Sequence, residues 1–437
     1  MSASRSGAAR RLVAAASCGP LGERNFRLLF CARCVSLLGD GAFLVALAWQ
    51  TYTLSNAPTA LSLLGIAMTV PLIALLLVGG VVSDRHEKRR VMLAADLVRA
   101  VLLAVLAALA ISGRLRLWHM MVLVAVYGGA QAFFDPASDA ILPELLPEAQ
   151  LGRANALEQI VRPLALRLAG PALGGLLIAS AGVGTTFLLD AVTFVAPAVA
   201  LSLISLARAG RQRVESRMRP AVLKRQLREG FAYVRMHPWL WATLASAAVA
   251  YLLFMGPTLV LLPLMVKHVL AGSSVQLGLV LGAGGVGAMA CAALMLRGAR
   301  SSEGIAFIYV VWAFATLAVA AYGLASAIWQ LMLACLVFNF LETGGTIAWA
   351  TMKQVRVPGE LLGRVASLDW LISVGLLPVS LALTAPVSAV VGVRGTLVGA
   401  GVTGGLVTLA ALMIPGVRRA DRATQLGRVP VSDAAVV

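Results

Sequence analysis

GVVSDRHEKRR, residues 80–90, is a charged segment that separates two apolar runs, 59–82 and 91–111. Six ionisable side chains, apart from His86, fall within the seven positions 84–90. Each flanking run is long enough to cross a bilayer, since a transmembrane helix needs about 20 mainly apolar residues. Charged side chains are costly inside lipid, so the segment must lie in water at a membrane face.

Similar apolar runs recur along the whole chain and predict an all-α polytopic membrane protein with twelve transmembrane helices. The 437 residues are 60% hydrophobic and only 13% charged, whereas a typical soluble domain is about 25% charged. The runs are continuously apolar, which favours helices over the alternating strands of about 10 residues in a membrane barrel. The predicted spans, numbered 1 to 12 along the chain, are 26–54, 59–82, 91–111, 117–142, 155–181, 184–206, 239–267, 275–296, 303–324, 327–352, 363–390 and 392–414.

The basic residues are distributed unevenly between the two faces of the membrane. Nine of them lie between Arg208 and Arg235 alone. This asymmetry is the positive-inside pattern and predicts that both termini are cytoplasmic. It explains the net charge of +17 without a nucleic-acid partner, and it favours contact with anionic membrane lipid. The outer loops carry only Arg114, Arg116, Lys267 and Arg394.

The long polar segment between spans 6 and 7 divides the chain into two similar halves. We expect a disordered cytoplasmic extension (1–24), an N-terminal six-helix bundle (25–206), a cytoplasmic linker with a short amphipathic helix (207–238), a C-terminal six-helix bundle (239–414) and a cytoplasmic tail (415–437). Six crossings per half give both halves the same orientation, so the halves should be related by an axis along the membrane normal.

A short sequence repeat supports a duplication. It lies at the cytoplasmic start of the fifth span of each half. Pro147, Leu151, Gly152 and Arg153 recur, at an offset of 211, as Pro358, Leu362, Gly363 and Arg364.

Polar residues at helical spacing mark one face of several spans. An ionisable group at the bilayer centre costs at least about 2.5–3.5 kcal/mol, so such a face should border a water-filled cavity. Spans 1, 4, 7 and 10 occupy equivalent positions in a twofold repeat of three-helix units. Clear polar faces on three of them, with a weaker one on span 7, predict a central pathway between the halves. The polar faces consist of Ser36, Asp40, Phe43, Leu47 and Gln50 in span 1; Tyr127, Gln131, Asp135 and Ser138 in span 4; Tyr251, Phe254 and Thr258 in span 7; and Asn339, Glu342, Thr346, Trp349 and Lys353 in span 10.

The carboxylates on these faces are candidates for proton binding, because a carboxyl group in a cavity can load a proton on one side and release it on the other. Asp40 is the first choice, Glu342 the second, and Asp135 a further candidate. The alternative for each is a buried carboxylate that only bonds a neighbouring helix. We assign that structural role to Asp190.

The other charged residues inside spans are expected to pair with one another. Asp96 should pair with Arg99 or with the charged segment, and Glu158 with Arg162 at a spacing of four. Arg167 should neutralise an acid such as Asp135 or Asp40 across a helix interface.

The sequence offers no sign of nucleotide, metal or catalytic chemistry. It contains no G-x-x-x-x-G-K-[ST], and the G-x-G-x-x-G match at 282–287 lies within a span, where small residues favour close helix packing. Cys31 and Cys34 lack a second Cys or His pair, so we expect them to pack rather than to bind metal. We expect no cofactor and no enzymatic activity, and an ion gradient as the energy source.

Two motifs carry a resemblance to the major facilitator superfamily of secondary transporters. Gly80-x-x-x-Asp84-Arg85-x-x-Lys88-Arg89 resembles its loop 2–3 signature, with Glu87 in place of the usual Gly. Gly170-Pro171-Ala172-Leu173-Gly174-Gly175 is similar to its helix 5 antiporter motif, with Leu166 in place of a Gly. The resemblance implies two six-helix bundles and gating by the first motif. The residues implied are Gly80, Asp84, Arg85, Lys88, Arg89 and Asp96 for gating, where Arg85 and Arg89 could pair with Asp96 or Glu144, and Arg167, Gly170, Pro171, Gly174 and Gly175 for the helix 5 motif.

Other segments resemble one branch, the enterobactin-exporter and macrolide-efflux type, also called transmembrane secretion effectors. The resemblance covers about residues 22–415. The Arg that many drug–proton antiporters carry in helix 4 is missing from this sequence, where Gln131 is the nearest polar residue. The segments are Gly39-Asp40, Asp96-Leu97-Val98-Arg99-Ala100, Phe133-Phe134-Asp135-Pro136-Ala137, Arg153-Ala154-Asn155-Ala156-Leu157, Arg167-Leu168-Ala169-Gly170-Pro171 and Asp190-Ala191.

These observations predict a monomeric, multi-pass protein of the cytoplasmic membrane that exports amphipathic small molecules, such as antibiotics or siderophores, in exchange for protons. A lipid or lysophospholipid flippase on the same fold is the first alternative. A non-transporting membrane sensor or scaffold is the second. We expect the substrate to contact Ser36, Phe43, Gln50, Tyr127, Gln131, Tyr251, Phe254, Asn339, Thr346 and Trp349.

Overall fold

The fold is taken from a computed structural model, which describes residues 19–204, 231–298, 304–358, 361, 365, 368–369, 371, 375–414 and 417. The described residues are helical almost throughout and contain no strand. Most of the predicted N-terminal extension, linker and tail lies outside them. So do the repeat residues Leu362, Gly363 and Arg364.

The described helices follow the predicted spans in order. After a 3₁₀ turn at Gly19–Gly22, the first half contains α1 (Arg24–Leu54), α2 (Pro58–Arg85), α3 (Lys88–Ile111), α4 (Leu117–Leu145), α5 (Glu148–Pro163), a π-helical turn (Leu164–Ala169), α6 (Gly170–Thr193) and α7 (Val195–Leu203). The second half contains α8 (Pro238–Leu264), a π-helical turn (Met265–Val269), α9 (Ser274–Gly298), α10 (Ile305–Leu324), α11 (Ile328–Arg356) and α12 (Leu377–Ala411).

Ten helical stretches among the described residues are long and apolar enough to cross a membrane, against twelve predicted spans. The difference comes from two stretches, Ile160–Leu203 and Leu377–Ala411, each of which includes the boundary between two predicted spans. Gly182 (φ 84°, ψ 168°) and Gly392 (φ 80°, ψ 162°) interrupt the helical backbone at those boundaries. Glycine adopts positive φ without steric cost, so each marks a turn between two spans.

The chain forms two compact units. Unit 1 comprises Met1–Ser55, Leu64–Gln212 and Ser273–Leu279. Unit 2 comprises Asn56–Leu63, Arg213–Gly272 and Val280–Val437. The main division falls inside the predicted linker, and each unit also includes a short segment from the other half of the sequence.

Glycines bring the helices of unit 1 into backbone contact. A Cβ on Gly174 in α6 would lie 2.7 Å from the Cα of Ala42 in α1, and a Cβ on Gly79 in α2 would lie 2.0 Å from the carbonyl oxygen of Ala132 in α4. In a membrane, small residues at such contacts allow the close packing that drives helix association. The glycines of the helix 5 motif therefore have a clear packing role.

In unit 2, a buried serine links α8 to α12, and a glycine allows close contact between α9 and α11. The Ser380 hydroxyl of α12 accepts a hydrogen bond from the Gly256 amide (2.7 Å) and donates one to the Leu252 carbonyl (2.7 Å), both in α8. A Cβ on Gly287 in α9 would lie 2.1 Å from the Leu336 carbonyl oxygen of α11. This contact shows that Gly287, within the segment 282–287, serves helix packing.

Candidate functional site

A cavity of about 130 Å³ lies within unit 1 and is lined mainly by residues of α1, α3 and α4. It brings together six residues that the polar faces of spans 1 and 4 predicted. They are Ser36, Asp40, Phe43, Tyr127, Gln131 and Asp135. The predicted Gln50 is not among the residues that line it.

The half-buried carboxylate of Asp40 is fixed by a hydrogen bond across the cavity. The Tyr127 hydroxyl of α4 donates to Asp40 Oδ1 at 2.6 Å. The Tyr127 ring packs against Phe43, with centroids 5.2 Å apart, and Phe43 in turn packs against Phe187 at 5.9 Å. Aromatic packing therefore orients the hydroxyl that positions the carboxylate.

A buried ion pair lies in the wall of the same cavity. Asp96 is 1% exposed and Arg99 is 4% exposed, and the two form an ion pair within α3. The Arg99 guanidinium also lies 4.4 Å from the ring centroid of Phe134 and 4.8 Å from that of Phe194. This confirms the Asp96–Arg99 pairing.

We expect Arg99→Gln to lower the free energy of unfolding by about 3–5 kcal/mol, because it leaves the Asp96 carboxylate buried without its partner. Asp96→Asn combined with Arg99→Gln should recover part of this loss, since neither charge remains. Thermal unfolding of the purified variants in detergent measures both effects. Equal stability of the single variant and the wild type would contradict the assigned pairing.

Arg33 of α1 joins three helices at the edge of the cavity. Its guanidinium donates to the Ser138 hydroxyl of α4 and to Glu158 Oε1 of α5, the latter at 3.3 Å. The predicted pairing of Glu158 with Arg162 is therefore wrong. Arg33, which lies on another helix, binds the Glu158 carboxylate, whereas Arg162 lines the cavity.

Two further acids of unit 1 have different surroundings. Asp135 lines the cavity and accepts a hydrogen bond from Gln131 at 3.4 Å. Asp190 is fully buried and accepts from the Thr193 hydroxyl at 3.2 Å. A Cβ on Gly39 would lie 2.2 Å from Asp190 Oδ1, so this acid packs against the backbone of α1. Its structural role stays a prediction.

The charged segment makes contacts other than those expected. Lys88, rather than Arg85 or Arg89, pairs with Glu144. Arg89 donates to the Ile204 carbonyl at 2.8 Å. The predicted pairing of Arg85 or Arg89 with Asp96 or Glu144 is thus wrong. Arg99 pairs with Asp96, and Lys88 pairs with Glu144.

Three further motif residues have different positions. The side chain of Asp84 lies outside the described residues, so its gating role stays a prediction. A Cβ on Gly80 would meet no atom within 4 Å, unlike a Cβ on its neighbour Gly79. Arg167 lies exposed in the π-helical turn Leu164–Ala169 and is not among the residues that line the cavity.

In unit 2, the polar face of α11 divides into two groups. The Thr346 hydroxyl donates to Glu342 Oε1 at 3.1 Å. The Trp349 indole donates to Asp369 at 3.2–3.3 Å, and Lys353 forms an ion pair with the same carboxylate. Glu342 stays a proton-binding candidate.

The other candidates of unit 2 contact residues of their own helix, and Phe254 also packs against Phe338 of α11, with ring centroids 5.7 Å apart. The Asn339 amide donates to the Cys335 carbonyl at 2.9 Å. The rings of Tyr251 and Phe254 pack with centroids 5.6 Å apart.

Sequence reasoning missed Arg33 and Asp369, which hold these contacts together. Arg33 lies well inside predicted span 1, so the cost of an intramembrane charge was a usable signal. Asp369 stands 211 positions after Glu158, and Trp349 stands 211 after Ser138. The offset of the repeat could therefore have found Asp369.

Known proteins resemble the chain along most of its length. A family model described as transmembrane secretion effector matches residues 15–433. The multidrug efflux pump Tap of Mycolicibacterium fortuitum is 28% identical over 89% of this chain and 95% of that protein. Macrolide efflux protein A of Streptococcus pyogenes is 24% identical over 58% of this chain and 62% of that protein. The match to the MFS-type transporter YfiS of Bacillus subtilis, at 28% identity, spans 52% of this chain and 53% of that protein.

Solved structures share the fold. A bacterial homologue of the iron transporter ferroportin in an inward-facing state aligns with a TM-score of 0.67 at 16% identity, over 89% of this chain and 98% of that one. A POT family transporter in complex with 5-aminolevulinic acid aligns with a TM-score of 0.69 at 12% identity, over 90% and 97%. The chain therefore belongs to the transmembrane secretion effector family of the major facilitator superfamily, and it is a multi-pass integral membrane transporter.

Proposed function

We propose that this transporter exports amphipathic small molecules from the cytoplasm in exchange for protons, by alternating access in the cytoplasmic membrane. One observation carries the proposal: an intramembrane carboxylate, Asp40, faces a cavity and is held there by the Tyr127 hydroxyl. An ionisable group at that depth is costly, so its presence there points to a function. The efflux activity in the names of Tap and macrolide efflux protein A supports the export direction.

The proton gradient supplies enough energy for export. One elementary charge that crosses 100 mV releases about 2.3 kcal/mol, and this corresponds to roughly fifty-fold accumulation of substrate. Asp40 would bind a proton while the cavity faces outward and release it inward.

The wall of the cavity suits the charged end of an amphipathic substrate. Met68, Met92 and Phe134 provide an apolar surface beside the carboxylates of Asp40 and Asp135. Its volume of about 130 Å³ is smaller than the roughly 300–1,000 Å³ of pockets that hold whole drug-sized ligands. The cavity therefore accommodates water and one end group rather than a complete substrate.

The charged segment would bias the transporter between its two states. A change of about 1.4 kcal/mol in the contacts of this segment shifts a two-state equilibrium tenfold. The ion pair between Lys88 and Glu144 links the start of α3 to α4, and such a partly exposed pair would contribute about 0.2–1 kcal/mol to this bias. Asp84 retains the gating role that its motif implies.

Reconstituted protein tests the proposed function directly. Proteoliposomes should expel amphipathic dyes, macrolides or siderophores only when a proton gradient is imposed. Substrate movement that is unaffected by collapse of the gradient would contradict proton coupling. Movement of labelled phospholipid in place of these compounds would favour the flippase alternative.

We expect Tyr127→Phe to reduce proton-driven efflux about tenfold or more, because a hydrogen bond to a charged group contributes about 1.5–3 kcal/mol. The ring would keep its packing against Phe43, so the unfolding temperature should change little. Tyr309→Phe is a matched control, since it removes a buried hydroxyl that bonds Thr243 at 2.8 Å in unit 2. An equal loss of efflux in both variants would argue against a specific role for Tyr127.

A further inference from the structure

Asp190 of α6 is a buried acid that takes no part in the proton exchange proposed for Asp40. It is 0% exposed and is not among the residues that line the cavity. Among the described residues, its Oδ2 atom has no hydrogen-bond partner. A buried carboxylate without partners is very costly, so such a group keeps its proton and remains a neutral carboxylic acid.

The contact between Asp190 and Thr193 also favours the neutral acid. The Thr193 hydroxyl donates to the Asp190 carbonyl oxygen at 2.7 Å and to the side-chain Oδ1 at 3.2 Å. A hydroxyl group has only one hydrogen, and the carbonyl oxygen is nearer, so Oδ1 receives the weaker share of this bond. A proton on Oδ1 can instead be donated to a lone pair of the Thr193 oxygen, which gives the neutral acid the better hydrogen bond.

The backbone of α1 packs directly against this carboxyl group. A Cβ on Gly39 would lie 2.2 Å from Asp190 Oδ1 and 2.5 Å from the Thr193 hydroxyl oxygen. So close a contact leaves no space for a water molecule between the Gly39 backbone and the carboxyl group. An ionised Asp190 therefore could not be solvated from the side of α1.

Ionisable groups on three neighbouring helices act on Asp190. They are Asp40 of α1, Arg99 of α3 and Tyr127 of α4. Arg99 favours an ionised Asp190, but its guanidinium is already paired with Asp96. Asp40 directly follows Gly39, so its carboxylate lies close to Asp190 and disfavours a second negative charge there. Two carboxyl groups that interact in this way hold their protons as a pair and are not both ionised near neutral pH.

We propose that Asp190 is a positioning residue that retains its proton near neutral pH and thereby allows Asp40 to release its own. The inference rests on the proposed proton exchange at Asp40 and adds a second acid to it. While Asp190 stays neutral, Asp40 ionises without a second negative charge behind it. If Asp190 lost its proton, Asp40 would keep its own, and release to the cytoplasm would stop. The proton on Asp190 is therefore retained rather than transported.

Infrared spectroscopy of the purified full-length protein detects the retained proton, because a protonated carboxyl group has a C=O stretching band separate from those of carboxylates and amides. At mildly alkaline pH, we expect this band in the wild type and its loss in Asp190→Asn. Asp135→Asn is the matched control, since it removes a cavity acid and should leave the band unchanged. Thr193→Val should shift the band, and this shift decides the matter if Asp190→Asn is misfolded. Equal bands in Asp190→Asn and the wild type would overturn the inference.

The dependence of stability on pH gives a second test. In the unfolded chain an aspartic acid loses its proton above about pH 4, whereas the folded protein keeps the proton on Asp190. The wild type should therefore lose stability, relative to Asp190→Asn, as the pH rises from about 5 to about 8. Unfolding temperatures of both proteins in detergent measure this difference. An ionised and paired Asp190 would produce the opposite trend, which would contradict a retained proton.

Transport measurements separate this inference from the proposed function. Asp190→Asn cannot ionise, so its proton-driven efflux should persist to a pH about one unit higher than that of the wild type. An unchanged pH limit, or loss of efflux from Asp190→Asn at neutral pH, would overturn the inference and leave proton-coupled export standing. If the infrared band and the stability trend are as expected but Asp40→Asn keeps proton-driven efflux, the retained proton stands and Asp40 is not the carrier.

Discussion

Asp40→Asn should abolish proton-driven efflux while the protein remains folded and able to bind substrate. Asparagine has nearly the same shape as aspartic acid, and its carbonyl oxygen can still accept the hydrogen bond from Tyr127, which measures 2.6 Å in the wild type. The amide cannot bind and release a proton, so substrate movement loses its coupling to the gradient. We expect efflux from proteoliposomes under an imposed pH gradient to fall to the rate of empty liposomes.

Two further measurements make this test specific: substrate exchange without a gradient, and efflux by a variant of a second acid. Exchange of substrate across the membrane without a gradient should persist in Asp40→Asn, because that process needs no net proton transfer. Asp135→Asn removes another carboxylate from the same cavity and should retain at least part of the coupled efflux. Unchanged gradient-dependent efflux in Asp40→Asn would exclude Asp40 as the proton carrier, and loss in Asp135→Asn alone would transfer that role to Asp135.

The sequence predicts most of the fold because the bilayer imposes a simple requirement on it. Apolar runs of about 20 residues must form helices, since lipid offers no partner for backbone polar groups. The predicted boundaries between spans 5 and 6 and between spans 11 and 12 coincide with Gly182 and Gly392, where the backbone leaves the helical conformation. The contacts between helices depend on three-dimensional packing and were not predictable from the runs alone.

The candidate site was partly predictable for a related reason. Asp40, Tyr127 and Asp135 are polar residues on otherwise apolar helices, and the cost of such residues marks them. Partner choice was harder to predict: Glu158 bonds Arg33, which is 125 positions away, rather than a residue in the next turn. Local spacing favours pairs within a helix, whereas packing brings competing cations from other helices.

Gly79→Ala should destabilise the protein and also impair the site. The added Cβ would lie 2.0 Å from the Ala132 carbonyl oxygen, so α2 and α4 would have to separate. Such overpacking typically costs about 1–3 kcal/mol, and occasionally more. Because α4 carries Tyr127, its displacement would weaken the hydrogen bond to Asp40. We expect a lower unfolding temperature in detergent together with a large loss of efflux.

The adjacent glycine provides the control. A Cβ on Gly80 would meet no atom within 4 Å, and alanine favours a helix over glycine by about 1 kcal/mol. Gly80→Ala should therefore be at least as stable as the wild type. If this variant transports slowly despite its stability, the motif glycine serves gating rather than packing. If Gly79→Ala were as stable as Gly80→Ala, the close contact between α2 and α4 would be wrong, and with it the helix packing that places Tyr127 beside Asp40.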